Sequence, residues 1–211
     1  MNQILTTLEI IGILAAALSG AMLAIDKRMD LFGVVIIGMV TGLGGGVMRD
    51  VTLGHVPRTF SNPLYLLSAV LPPLVVFLIA LCLQSRYVKE EELIDRINNI
   101  FDALGLGAFA VGGAAVARAV GYDSHFVLVV FSGLITAVGG GVLRDVLLRE
   151  IPSILKKRVY AIAALAGTIA YYFLLHYGAG EVLSAIVGVI LVFVLRILAT
   201  IFRWNFPKAI K

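Results

Sequence analysis

The sequence predicts an all-α fold: a polytopic membrane protein of seven transmembrane helices, built as an inverted repeat of two three-helix units plus one extra C-terminal helix. Three observations predict it. Of the 211 residues, 60% are apolar and only 14% charged, with a mean hydropathy of +1.02. A soluble domain carries about 25% charged residues because its surface must face water. Long stretches free of Asp, Glu, Lys and Arg recur along the chain, and residues 41–57 return in recognisable form at 136–152. Cys82 is the single cysteine, which excludes an intrachain disulfide framework and any thiolate metal cluster.

A helix needs about 20 mostly apolar residues to cross a hydrocarbon core about 30 Å thick. Residues 10–25 (extendable back past Glu9), 31–48, 59–85, 103–117, 124–143, 159–180 and 182–195 are the candidate spans, the last running on through Arg196. The fourth holds only 15 residues between charges, so six spans is the alternative count. Short cytoplasmic loops are enriched in Lys and Arg. With seven spans, 14 of these residues fall on one side and 3, Arg49, Arg58 and Arg118, on the other. The N-terminus is therefore expected outside and the C-terminus in the cytoplasm, in the plasma (inner) membrane of a prokaryote. A cleavable signal peptide is the rival reading of the first span, but a basic n-region is missing, since the first Lys or Arg is Lys27. The expected division is 1–85 (first three-helix repeat), 86–97 (polar cytoplasmic linker), 98–177 (second, inverted repeat) and 178–211 (seventh helix and basic tail).

The repeat lies at a constant offset of 95: ten of 17 positions between 41–57 and 136–152 are identical, among them Thr41, Gly44, Gly45, Gly46, Arg49, Asp50 and Pro57. The same offset pairs Gly38 with Gly133, Tyr65 with Tyr160 and Gly12 with Gly107. Three spans per unit is odd, so the second copy enters the membrane from the opposite side. That is the inverted-repeat arrangement of many transport proteins, whose sites form near the midplane on interrupted helices.

The motif that carries chemistry lies in the second span of each unit: Thr41, Gly44, Gly45, Gly46, Arg49 and Asp50, and again Thr136, Gly139, Gly140, Gly141, Arg144 and Asp145. Glycine inside a helix costs about 1 kcal/mol relative to alanine, so three together are expected to break the helix. A break leaves backbone groups tolerated only against protein or a water-filled cavity, and its dipole ends suit ions. At 1.5 Å per residue, Arg49 lies about 27 Å beyond Leu31 and Arg144 about 28 Å beyond His125. Inverted copies then set the two charged pairs near opposite faces, the geometry of a two-vestibule pore. Close packing is the competing reading, since small residues let membrane helices approach. Retention of all three glycines and both charges in each copy favours a conduction path, because ionisable groups at such depth face a cavity or pair. Adjacent helical residues do not face each other, so Arg49 and Asp50 are expected to have separate partners, across the repeat.

Other candidates are weaker. Pro72 and Pro73 should kink the third span, as a hinge or a passive bend, opposite the weak helix point Gly167-Thr168. Ser19, Ser68, Thr41 and Thr136 either line a wet path or satisfy neighbouring carbonyls. His55, His125 and His176 are scattered and suggest no metal site. Gly105-Leu106-Gly107 begins like a dinucleotide fingerprint but lacks the strand–turn–helix setting. No P-loop, HExxH or nucleophile elbow occurs, so neither enzyme activity, a cofactor nor a nucleic-acid partner is expected.

These features together resemble the trimeric intracellular cation (TRIC) channel family in its prokaryotic branch, also described as a glycine transporter-type domain. The resemblance rests on GGGVMRD and GGGVLRD in the second and fifth spans, the duplicated unit, the seven spans and the outside N-terminus. It implies a homotrimer in the lipid bilayer, each subunit conducting potassium and less selectively sodium through its own pore. It also implies that the second and fifth helices are kinked at their glycines and line that pore. Arg49 and Arg144 would repel a cation unless Asp50, Asp145 and helix carbonyls offset them. Each Arg is therefore expected to act as a gate or helix lock held by the partner repeat, with glycine-zone carbonyls contacting the ion. The alternative is a secondary transporter of a small zwitterion such as glycine, and a third class is an assembly protein with no path. No acid lies well inside a span, apart from Glu9, Asp102 and Glu181 near span ends, which leans away from a proton-coupled carrier.

Overall fold

The computed structural model describes residues 3–83, 91–156, 159–202 and 204, and regular structure among them is helical throughout. Seven long helices form: α1 (Gln3–Asp26), α2 (Leu31–Thr52), α3 (Pro63–Cys82), α4 (Glu91–Ala117), α5 (Phe126–Leu147), α6 (Tyr160–His176) and α7 (Glu181–Ile201). All but α6 exceed the length and hydropathy needed to cross a membrane; the 17-residue α6 is shorter but sits at the lower limit of spanning lengths, about 17–25 residues. The chain is an integral membrane protein. Residues 86–90 of the polar linker and the tail beyond 204 lie outside the described residues, while 91–97 form the first turns of α4.

Local chemistry sets the helix ends. Asp30 accepts a hydrogen bond from the Gly33 N–H (2.8 Å), capping α2, and Asn62 accepts one from the Leu64 N–H (3.0 Å) ahead of Pro63. Each of α2 and α5 ends in a left-handed residue, Gly54 (φ 75°) and Arg149 (φ 57°), with the next N–H donating five residues back, His55 to Asp50 and Glu150 to Asp145.

α1, α2 and α3 pack on one another, as α4, α5 and α6 do; α1 then meets α4 and α2 meets α5, while α7 closes against α4 and α6. The cross-repeat pairs are antiparallel. Gly12 lies under Phe109 while Gly105 lies against Ala16, and Gly45 meets Thr136 while Gly140 meets Thr41. Each contact has its mate with the two repeats exchanged, as a pseudo-two-fold axis requires.

The same contacts correct one expected pairing. In α1 and α4 the equivalent residues are 93 apart, not 95: Gly12 matches Gly105, Ala16 matches Phe109 and Gly20 matches Gly113, each of the last pair abutting a threonine, Thr41 or Thr136. Gly107 instead packs on Val189 of α7. Two extra residues therefore enter the α4–α5 connection, where the chain widens into a π-turn (Arg118–Tyr122) closed by Gly121 at φ 100°.

Candidate functional site

α2 and α5 run without interruption through Gly44–Gly46 and Gly139–Gly141. The expected breaks do not form, because packing uses the glycines instead. A Cβ on Gly45 would collide with the Thr136 carbonyl, and one on Gly140 with the Thr41 carbonyl, so the central glycines let two backbones touch. Gly44 and Gly139 meet the tips of Leu143 and Met48. Gly46 and Gly141 leave room for the guanidiniums of Arg49 and Arg144, which lie 3.8 and 3.7 Å from where a Cβ would stand. With the helical ladder intact, the glycine-zone carbonyls are already engaged. Thr41 and Thr136 turn their hydroxyls onto the Ile37 and Ser132 carbonyls (2.6 Å each).

Beyond each glycine triplet lies a buried ionic cluster. In the first, Arg49 donates from Nε to Asp50 Oδ1 (2.7 Å) and faces Glu9 Oε1 of α1 (2.9 Å). Asp50 Oδ2 accepts the Arg58 backbone N–H (2.9 Å); Glu9 Oε2 accepts from the Tyr65 hydroxyl (2.9 Å) and the Arg58 guanidinium (3.4 Å). In the second, Arg144 donates to Asp145 Oδ1 (2.8 Å) and faces Asp102 Oδ1 of α4 (3.8 Å). Asp145 Oδ2 accepts the Ser153 N–H (2.5 Å), and Asp102 accepts from the Tyr160 hydroxyl (3.1 Å). Its remaining cation comes from α7: Arg196 reaches Asp102 Oδ2 (3.3 Å) and lies over the Tyr160 ring (4.6 Å). Arg49 and Arg144 are both 2% exposed.

Two expectations are corrected here. Arg49 and Asp50 do pair, as do Arg144 and Asp145, because a long guanidinium folds back onto the neighbouring carboxylate although their Cβ atoms diverge. Each Arg is also held by its own repeat, not by the partner repeat. Each cluster contains two carboxylates and two guanidiniums, so its formal charge cancels, which is how such groups survive burial.

Small cavities open beside the clusters. One, about 20 Å³, is lined by Glu9, Gly46, Arg49, Tyr65, Phe109 and Thr136 among others. Its pseudo-symmetric mate, about 10 Å³, is lined by Asp102, Gly141, Arg144, Tyr160, Phe109 and Thr41 among others. Phe109 borders both, at the level where α2 crosses α5. Pro72 and Pro73 stay within a continuous α3, and Pro73 fills the notch at Gly38, a packing role. Thr168 seats against Gly133 in the mate.

Sequence reasoning missed Arg58, Tyr65, Phe109, Tyr160 and Arg196, and placed Glu9 and Asp102 only near span ends. The tyrosines carried a signal, their common offset of 95. So did Glu9 and Arg196, ionisable residues in otherwise apolar spans.

Comparison with known proteins agrees with this architecture. The sequence model of a family described as "Glycine transporter" matches residues 6–80 and 99–176. A UPF0126 membrane protein of Deinococcus radiodurans is 40% identical over 170 residues, covering 79% of this chain and 74% of its own length. The UPF0126 inner membrane protein YadS of Escherichia coli K12 is 36% identical over 203 residues, covering 94% and 91%. Among solved structures, a prokaryotic TRIC channel in 0.5 M KCl superposes with a TM-score of 0.84 at 37% identity, covering 98% of this chain and all of that one. The TRIC trimeric intracellular cation channel orthologue from Rhodobacter sphaeroides gives 0.84 at 34% identity over 96% of this chain. These are membrane-protein families, not enzyme families. With the repeat, the fold and the relatives in agreement, the chain belongs to the family of the prokaryotic TRIC channels.

Proposed function

We propose that the chain is a monovalent cation channel, passing potassium and less selectively sodium through a path inside each subunit of a homotrimer. The solved relatives are named trimeric cation channels. The observation that carries the reading is the pair of pseudo-symmetric cavities, each beside a charge-balanced cluster and both bordered by α2, α5 and Phe109. The path runs from one cluster to the other, with the N-terminus outside and the C-terminus in the cytoplasm. Because the glycine-zone carbonyls are spent in the helices, the carboxylates of Glu9, Asp50, Asp102 and Asp145 are the groups that meet the ion. Arg49 and Arg144 cancel their charge at rest, so an arginine that swings away both opens space and exposes negative potential. At about 20 and 10 Å³, each cavity holds one water at most; this conformation is closed, with Phe109 between the two halves.

A second reading is favoured by the description of the matched family: a carrier for glycine, whose ammonium and carboxylate would meet the same carboxylates and guanidiniums. Purified protein in a planar bilayer separates the two. Unitary currents carried by potassium support the channel. Counterflow of labelled glycine without unitary currents overturns it in favour of the carrier.

A further inference from the structure

The two clusters share a plan but not a source of charge. In each, a carboxylate from the first helix of the repeat (Glu9 or Asp102) holds the motif arginine, a tyrosine and one more guanidinium. In the first repeat that guanidinium is Arg58, from the repeat's own α2–α3 turn, with 21% of its side chain exposed. The corresponding turn of the second repeat has Ser153 at this position, which offers Asp145 only its backbone N–H. Arg196 fills the missing role from α7, outside the repeat, with 3% of its side chain exposed.

We infer that Arg196 is a positioning residue of the permeation path: it holds Asp102 and cancels its charge, and so makes the seventh helix the setter of the electrostatic potential at one end of the pore. The inference rests on the channel reading. Its physics is local neutrality. Asp102 and Asp145 carry two negative charges, Arg144 one positive charge, and Arg196 the fourth. Arg144 approaches Asp102 only to 3.8 Å, so Arg196 at 3.3 Å is the closer counter-charge. The Arg196 Nε has no hydrogen-bond partner among the described residues, and the guanidinium engages the cluster through Nη2 to Asp102 and through the stacked Tyr160 ring. Removing it leaves a net charge of −1 at one end of a low-dielectric path, which concentrates cations there. Removing Arg58 does the same at the other end. The two losses should therefore bend the current–voltage relation in opposite senses.

The test records currents from excised patches of cells expressing the full chain, which fix the protein's orientation. R196Q is expected to change the rectification ratio at least about twofold at low salt, and R58Q to do so in the opposite sense. Both effects should shrink between 0.01 M and 1 M salt, as the screening length falls from about 30 Å to about 3 Å. R196K keeps the charge and should behave as the original chain. D102N should rectify in the sense opposite to R196Q, and the double variant D102N/R196Q should restore symmetry. Rectification in R196K equal to that in R196Q would mean that Arg196 acts by shape, and would overturn the inference. So would R196Q with an unchanged current–voltage relation. Should R196Q not fold, D102N against D102N/R196Q decides: a difference supports the inference and identity overturns it. No current from the original chain would remove the channel reading and this inference together, an outcome distinct from currents that ignore Arg196.

Discussion

The two ionic clusters are copies of one device assembled with different tolerances. In the first, Glu9 reaches Arg49 at 2.9 Å, and all its partners come from its own repeat. In the second, Asp102 is one methylene shorter, stands 3.8 Å from Arg144 and takes Arg196 from a helix that has no counterpart in the first repeat. The shorter acid widens the gap and the added helix closes the charge balance. Duplication conserved the neutral sum of each cluster and left its suppliers free to change. The two clusters are thereby completed by different parts of the chain, Arg58 from the α2–α3 turn and Arg196 from α7.

Three sets of substitutions sharpen or break that comparison. The largest effect is expected at the shared crossing. Gly45→Ala and Gly140→Ala should each cost about 3 kcal/mol, because their Cβ atoms meet rigid carbonyls. Gly46→Ala and Gly141→Ala, whose Cβ atoms would make only ordinary van der Waals contacts, should be neutral or gain up to about 1 kcal/mol. Thermal unfolding followed by size-exclusion chromatography in detergent reads this; equal losses at all four positions would show that the triplets act as hinges.

Next come the two acids. Glu9→Gln leaves Arg49 and Arg58 short of a charge and should cost about 3 kcal/mol, in the range for breaking a buried ion pair. Asp102→Asn should cost about half as much, because its contacts are longer. Melting temperatures of the two variants compare the clusters directly, and the reverse order would show that distance does not rank them.

The smallest effect concerns the matching turns. Arg149 and Gly54 both adopt left-handed backbone, which costs a residue with a Cβ about 1 kcal/mol. Arg149→Gly should therefore raise stability by about 0.5 kcal/mol after glycine's entropy is counted, and Gly54→Ala should lower it by about 1 kcal/mol. A fall in melting temperature for Arg149→Gly would mean that the exposed arginine has a stabilising role of its own.

Much of the fold was legible because membrane insertion leaves coarse marks: apolar length, Lys and Arg placement, and a motif repeated at one offset. The site was half legible. Arg49, Asp50, Arg144 and Asp145 stood out as charges in apolar surroundings, and they do form the centres of the clusters. The meaning of the glycines was not legible, since the same triplet permits a broken helix or a close crossing. Only the position of Thr136 over Gly45, and of Thr41 over Gly140, decides between them.

By itself the sequence determined that the chain spans a membrane, that it is doubled, and that its copies enter from opposite sides, because composition, identity at a fixed offset and an odd span count are properties of the chain alone. Tertiary structure decided that the glycine helices stay whole, that Glu9 and Asp102 rather than the opposite repeat hold the arginines, and that Arg196 completes the second cluster. The reason is that a buried charge takes whichever partner packing brings within about 4 Å. Residues 94 apart, such as Asp102 and Arg196, acquire that distance only once the helices are assembled.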